Sequence, residues 1–354
     1  MQNNIKDFYK GKKVYLTGHT GFKGSWMVLF LEKLGAEVYS YALEADEISM
    51  FNLCDIKSSC VSSEIGDIRD YKKFEKSLTN CNPDIIFHMS AQSLVLESYD
   101  NPIDTIQSNV IGTANLFEII RKNNLNVKSV INVTSDKCYE NKEWIWPYRE
   151  SDSFGGFDPY SASKGMCEIL SDSYRRSFFN KLEIPIVSCR AGNVVGGGDF
   201  CSNRIVPDLI RSTKKGEELE IRSPNAVRPW QHVFDILYAY ILAAYISYDN
   251  IEHSQGYNFA PIYDQDITVK ELIDNINLEG AGYSVVTSNA KVHEAHYLRL
   301  DSTKSRNTLK WKNYLSFDEL CLLTNQWYDC YLKGGDLKKI SSDQVDNYFN
   351  LFED

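Results

Sequence analysis

Few folds accommodate the run Lys13-Val-Tyr-Leu-Thr17 followed at once by Gly18-His19-Thr20-Gly21-Phe22-Lys23-Gly24. The first five residues are the apolar run expected of a buried parallel strand. Ser25 to Leu34 then reads as an amphipathic helix closed by Gly35. Between them the glycines stand at G-x-x-G-x-x-G spacing. That spacing allows a tight turn, lets backbone come close to a pyrophosphate, and sets an anion against a helix N-terminus. Bracketed by strand and helix, the pattern marks a dinucleotide site, and Gly18 through Gly24 are its candidate contacts. Lys23 reads as a solvated side chain.

The same alternation continues. Glu37 to Tyr41 is a second strand, without the terminal acid that holds an NAD ribose. This leaves NADP open as a cofactor beside NAD. Gly66-Asp67-Ile68 closes a third strand; Asp67 either accepts from an adenine amine or caps the helix beginning near Tyr71. Asp84 to Met89 is a buried strand containing His88, a core histidine, with Ala91 and Gln92 at its carboxyl end. A long helix from Pro102 to Lys122 carries Asn109, either a structural residue or a proton relay. Further strands end at Val133 and Arg190, the second running into Ala191-Gly192-Asn193. Alternating strands and helices mean an α/β fold with a doubly wound, parallel, Rossmann-type sheet. Beyond Val194 the pattern becomes loop-rich, as for a smaller mixed α/β substrate lobe. We assign 1–193 and 232–260 to the dinucleotide-binding domain, and 194–231 and 261–354 to the lobe. The stretch around Arg204-Ile-Val-Pro207 reads as irregular, and the residues from about Gly334 as a polar tail.

The strand before Val133 delivers Thr134-Ser135-Asp136-Lys137 to a sheet's carboxyl end, where open α/β sheets bind ligands. Pro159 opens a helix on which Tyr160 and Lys164 share a face. An ammonium beside a phenol lowers its pKa from about 10 toward working pH. Tyr160 is therefore a candidate base for a sugar hydroxyl. A net charge of −10 argues against a nucleic-acid footprint, which needs a basic face. Nine cysteines without a CxxC pair suggest reduced thiols, and no run is long enough for a membrane span. A cytoplasmic protein is expected. His293 and His296 lack a third ligand, so no metal site is expected.

These residues together resemble the extended short-chain dehydrogenase/reductase superfamily, in its branch of nucleotide-sugar 4,6-dehydratases. The resemblance spans nearly the whole chain. It rests on Thr17 to Trp26, Thr134-Ser-Asp-Lys-Cys-Tyr-Glu-Asn141, Gly156-Phe-Asp-Pro-Tyr-Ser-Ala-Ser-Lys164, Arg190 to Asp199, Arg228-Pro-Trp-Gln-His232 and His293-Glu-Ala-His-Tyr297. It implies a lyase acting on a nucleoside diphosphate sugar, with CDP-glucose the expected substrate, and a homodimer or homotetramer. Tyr160, helped by Ser135 and Lys164, would deprotonate the C4 hydroxyl as hydride leaves C4. Asp136 would protonate the departing C6 hydroxyl, Lys137 would take the C5 proton, and hydride would return to C6. A lysine serves as a base only where desolvation or neighbours lower its pKa. The resemblance adds Ile68, Ala91, Gln92, Asn109, Thr134, Tyr160, Lys164 and Arg190 to the cofactor contacts. Gln92, Asn193, Arg204, Arg228 and His296 become substrate contacts, Arg228 as a bidentate diphosphate clamp. The branch's usual Arg is Leu96 here, which leaves open another hexose or base. An epimerase, a dehydratase for another nucleotide sugar, and a non-catalytic dinucleotide sensor are the alternatives.

Overall fold

The computed structural model describes residues 2–352 apart from 222, 263–265, 277, 279–281 and 286–297. Its core is a seven-stranded sheet of β1 (Lys13–Thr17), β2 (Glu37–Ala42), β3 (Ser62–Ile65), β4 (Ile85–His88), β5 (Ser129–Val133), β6 (Ile186–Ala191) and β7 (Gly256–Phe259). The order is 3-2-1-4-5-6-7 and every pairing is parallel. The strand order therefore reverses between β1 and β4, which opens a crevice at their carboxyl ends.

Alternate side chains of these strands feed two apolar layers, as a sheet covered on both faces requires. On one side Leu16, Ile131 and Val187 meet α1 (Phe22–Lys33) and the wholly buried face of a helix at Val233–Ser247. On the other, Tyr15, Ile86 and Val130 pack beneath α2 (Tyr71–Cys81) and α3 (102–122). The long third helix forms as expected but is not regular. Gln107–Ile111 is a π turn, and Asn109 lies inside it. Such a bulge re-aims side chains within a continuing helix and is frequent at functional sites. Next in order come α4 (Pro159–Tyr174), α5 (Ile205–Lys215), α6 (Val233–Ser247), α7 (Thr303–Leu309), α8 (Phe317–Leu332) and α9 (Leu337–Asn350). Among the described residues no helix is long and apolar enough to cross a membrane.

Two expectations are corrected. The stretch after Arg204 is helical, with Pro207 inside the first turn of α5, where its missing N–H is not needed. The residues after Gly334 form α9, docked over α1 and α6. Trp327 Nε1 donates to Ser341 Oγ (2.9 Å), Gln344 Nε2 to Leu323 O (2.9 Å) and Tyr348 OH to Asp235 Oδ1 (2.8 Å). The Tyr348 ring lies 5.7 Å from Phe30 and 5.3 Å from Phe234.

Asp235 is the hub of that docking, because its carboxylate also accepts from Tyr314 N (2.9 Å) and Leu315 N (3.2 Å). Burial pushes this carboxyl up to about 6 against those donors. Asp235→Ala strands three donors, two of them buried, and is expected to lower the unfolding free energy by about 3 kcal/mol, read as an earlier urea midpoint. Because the folded-state value is raised, the protonated acid contributes stability present below about pH 4. That contribution is lost as pH rises through about 6. The alanine variant should lack this slope.

Candidate active site

The crevice begins with the glycine turn. Gly18 leaves β1 at φ +83°, and a Cβ there would meet Ser90 N at 2.9 Å. A Cβ on Gly24 would fall 2.0 Å from Gly18 O. Only hydrogen at both positions lets turn and helix close on each other, so α1 starts at Phe22, three residues earlier than its apolar pattern suggests. Gly21 is exposed, and Ser25 Oγ ties the turn by donating to His19 O (3.0 Å). Thr20 Oγ1 donates to Leu43 O (2.9 Å), while Phe22 packs toward the core. His19 is buried, 2.8 Å from Ser63 Oγ and edge-on to Phe51. Burial pulls its imidazole down to about 4, so the ring is neutral. An open cradle that side chains would fill, at a helix N-terminus, fits the pyrophosphate of a dinucleotide.

Lys23 does not extend into solvent. It is half-buried and points into the crevice, where loss of water, then the charges of Arg204 and Lys164, pull it down to about 8. Asp136 and Asp199 oppose that pull. Along the cofactor side, Asp67 is not the cap of α2. Its carboxylate accepts from Arg69 N (2.8 Å) and grips Arg69 Nε (3.0 and 2.8 Å), while Asp70 caps α2. Ile68 packs against Gly112, where a Cβ would lie 2.4 Å from its Cδ1.

Ala91 lies half-buried just past β4. Gln92 beside it spends its carboxamide on its own loop, donating to Thr105 Oγ1 (2.9 Å) and Leu94 O (3.0 Å) and accepting from Leu94 N. These bonds shape the loop after β4. Asn109, aimed by the π turn, closes on the same loop. Its Oδ1 accepts from Gln92 N (2.8 Å), and its Nδ2 donates to Gln92 O (3.0 Å) and Ser163 Oγ (2.8 Å) on α4.

At the end of β5, Ser135 caps a single turn at Asp136–Cys138. Its Oγ accepts from Lys137 N (3.2 Å) and donates to Asp136 Oδ1 (2.9 Å). Asp158 caps α4 through Ser161 N (2.9 Å), which turns Tyr160 and Lys164 toward Ser135. Lys164 Nζ lies 6.0 Å from the Tyr160 ring centroid and donates to Val133 O (3.4 Å). The expected lowering of the phenol is overturned here. Burial pushes Tyr160 up to about 12, and the hydrogen bond with Ser135 offsets only part of that. Burial likewise lowers Lys164. Asp136 is raised by burial, against the pull of Lys137, Ser135 and Arg228. Its Oδ2 has no partner among the described residues and faces Gly192. A raised, half-satisfied carboxyl beside a cationic rim is suited to donating a proton.

The rim comes from the segments after β6. Arg204 Nη1 is held by Asp199 Oδ2 (2.8 Å) and Nη2 by Ser93 Oγ (3.0 Å). The Arg228 guanidinium donates to Val227 O (2.9 Å), and its charge reaches Asp136. Asn193 is half-buried at the end of β6, its carbonyl accepting from Gln231 N (3.0 Å). Lys23 and Arg228 thus bring positive charge to Asp136, and Arg204 and Lys164 stand close to Lys23, a field suited to a diphosphate. Thr134 and Arg190 are not part of this opening. Both point into a buried network behind α4, with Arg190 Nη2 on Glu168 Oε2 (2.8 Å). His293 and His296 lie outside the described residues. Among those described, no cluster could hold a metal.

Asp199, Ser93 and Ser163 escaped sequence reasoning. Asp199 had a visible signal, an acid following three glycines and five residues before an Arg. The other two are small hydroxyls with no distinguishing spacing.

Against known proteins, residues 16–324 match the family model described as GDP-mannose 4,6 dehydratase. The chain is 41% identical to the CDP-glucose 4,6-dehydratase of Salmonella typhimurium over 98% of both chains. It is 24% identical to that organism's dTDP-glucose 4,6-dehydratase, covering 89% of this chain and 92% of the other. Among solved structures it resembles the dTDP-glucose 4,6-dehydratase of Streptomyces venezuelae with NAD and TYD bound. There the TM-score is 0.75 at 22% identity, over 91% of this chain and 98% of that one. The UDP-glucose 4-epimerase of Thermotoga maritima, solved with UDP-glucose, gives a TM-score of 0.77 at 22% identity over 90% and 99%.

Proposed function

Since the chain belongs to the GDP-mannose 4,6 dehydratase family, we propose that it is a nucleotide-sugar 4,6-dehydratase whose substrate is CDP-glucose and whose resident cofactor is NAD. The observation that carries the reading is the Ser135-Asp136-Lys137 turn facing Tyr160 and Lys164 across the crevice, joined to 41% identity with a CDP-glucose 4,6-dehydratase. An epimerase needs no acid and base for elimination, and a dinucleotide sensor needs no Tyr160 with Lys164.

The turn at Gly18 to Gly24 and the N-terminus of α1 would hold the NAD pyrophosphate. Bound NAD supplies an acceptor that stores one hydride and gives it back within the turnover. The protein's own groups do the rest. Arg228 and Arg204 bind the diphosphate and orient the hexose with C4 toward Tyr160. Tyr160, hydrogen-bonded to Ser135, takes the C4 hydroxyl proton, and the C5 hydrogen becomes acidic beside the resulting ketone. Lys137 removes it, Asp136 protonates the C6 hydroxyl as it leaves as water, and once the hydride is restored at C6 Lys137 returns a proton to C5. Burial holds Asp136 toward its protonated form, as that step requires.

Exposed apolar residues on α3 and α4, with Ile103 at 65% and Ile169 at 60%, are the surface through which a homodimer would form. The deciding assay offers CDP-glucose, GDP-mannose and dTDP-glucose in turn, with and without added NAD. A 4-keto product, seen by its alkaline absorbance, should accumulate from CDP-glucose at a kcat/KM at least about 100-fold above the other two, a margin of about 2.7 kcal/mol. Equal use of all three would overturn the substrate assignment.

A further inference from the structure

Glu168 lies one turn beyond Lys164 and two beyond Tyr160, on the same face of α4. Its side chain is 1% exposed and that of its partner, Arg190, is 4% exposed. Glu168 Oε2 accepts from Arg190 Nη2 (2.8 Å) and Oε1 from Thr134 Oγ1 (2.5 Å). Arg190 Nη1 donates to Tyr139 OH (2.6 Å), which donates to Asn258 Oδ1 on β7 (2.7 Å). The guanidinium also stacks 4.9 Å from the Phe154 centroid.

Desolvation largely cancels the attraction in so buried a pair, and packed apolar side chains would serve stability as well. What the pair does is join the segments that deliver the chemistry. Thr134 immediately precedes Ser135-Asp136-Lys137 and Tyr139 closely follows; Glu168 belongs to the helix of Tyr160 and Lys164; Arg190 belongs to the strand leading to Asn193. We propose that Glu168 and Arg190 are a positioning pair that sets Tyr160 and Lys164 against Ser135 and Asp136. This rests on the dehydratase reading of the same site.

The pair also acts electrostatically. Burial raises Glu168, but Arg190 and Thr134 outweigh it and keep the carboxyl below its usual range, so it is ionised. Its charge opposes the burial that lowers Lys164. Around Lys164 stand Lys23 from α1, His88 from β4, Cys138 after β5, and Cys167 and Glu168 on its own helix. Around Glu168 stand Cys138, Arg175, Cys189, Arg190 and Lys304.

Glu168→Gln is nearly isosteric and still offers Thr134 an oxygen. The variant should lose about 10- to 100-fold in kcat, with KM for the nucleotide sugar within about 2-fold. The alkaline limb of its kcat profile should move to lower pH, because Lys164 loses its anionic neighbour. A folded variant with wild-type kcat and an unmoved limb overturns the proposal. Should Glu168→Gln not fold, Tyr139→Phe keeps the ion pair and removes only its outer tether. Wild-type kcat in that variant overturns the proposal, and an about 3- to 10-fold loss at constant KM supports it. Competitive acetylation of Lys164 by acetic anhydride, read by peptide mass spectrometry, needs no turnover. A labelling midpoint at lower pH in Glu168→Gln supports the pair even if wild-type protein leaves CDP-glucose untouched, and an unchanged midpoint counts against it.

Discussion

Tyr160→Phe is expected to lower turnover about 10³-fold or more, while substrate binds within about 3-fold of its usual affinity. Phenylalanine keeps the packing of a side chain that is only 8% exposed and removes only the hydroxyl. The pH dependence should be equally diagnostic. Burial pushes this phenol up to about 12 without ligands, so in the free protein it is protonated near neutrality. A base in that condition becomes more available as pH rises. The C4 oxidation step should therefore speed up across the neutral and mildly alkaline range, toward tenfold per pH unit, in wild-type protein alone. Wild-type turnover by the Tyr160→Phe variant would remove Tyr160 from the reaction.

The second large effect separates the two halves of the reaction. Lys137→Ala should abolish release of water, cutting product formation at least about 10²-fold, while C4 oxidation remains detectable. In D2O the wild-type protein should place deuterium at C5 and the Lys137→Ala variant should not. Asp136→Asn should behave differently, keeping solvent exchange at C5 but failing to expel the C6 hydroxyl, since an amide cannot supply the proton. The same exchange result from both variants would contradict the division of labour between these neighbours.

Local patterns proved a good guide where one segment determines its own geometry. The glycine turn, the strand ends and the Pro159 helix are such places, because their constraints come from φ, spacing and period. The misreadings arose where tertiary contacts decide. Spacing brought Lys164 near Tyr160 but was silent on burial, which dominates the phenol. Lys23 reads as a solvated side chain from the sequence, yet the fold turns it in among Arg204, Lys164 and Asp136. Arg190 ends an apolar strand just before the ligand end of the sheet, and alternation turns its side chain to the far face, onto Glu168. The last helix went unrecognised because part of its docking face is polar. Ser341, Gln344 and Tyr348 are buried by pairing with Trp327, the Leu323 carbonyl and Asp235, and a search for apolar periodicity counts Ser341 and Gln344 as solvent-facing. The π turn around Asn109 leaves no mark on the apolar repeat that revealed its helix.

The docking of α9 over α1 has a consequence for how the molecule is made. Phe30, on the helix that cradles the dinucleotide, finds its cover in Tyr348 and Phe349. The ribosome makes Phe30 well before its cover, with all the residues from Leu31 to Asn347 translated in between. At about 5–20 residues per second the interval is roughly 15–60 s. Through most of it Phe30 lacks both Phe234 and this cover, and after Phe234 emerges it is still only partly covered, the circumstance in which a holding chaperone would be useful.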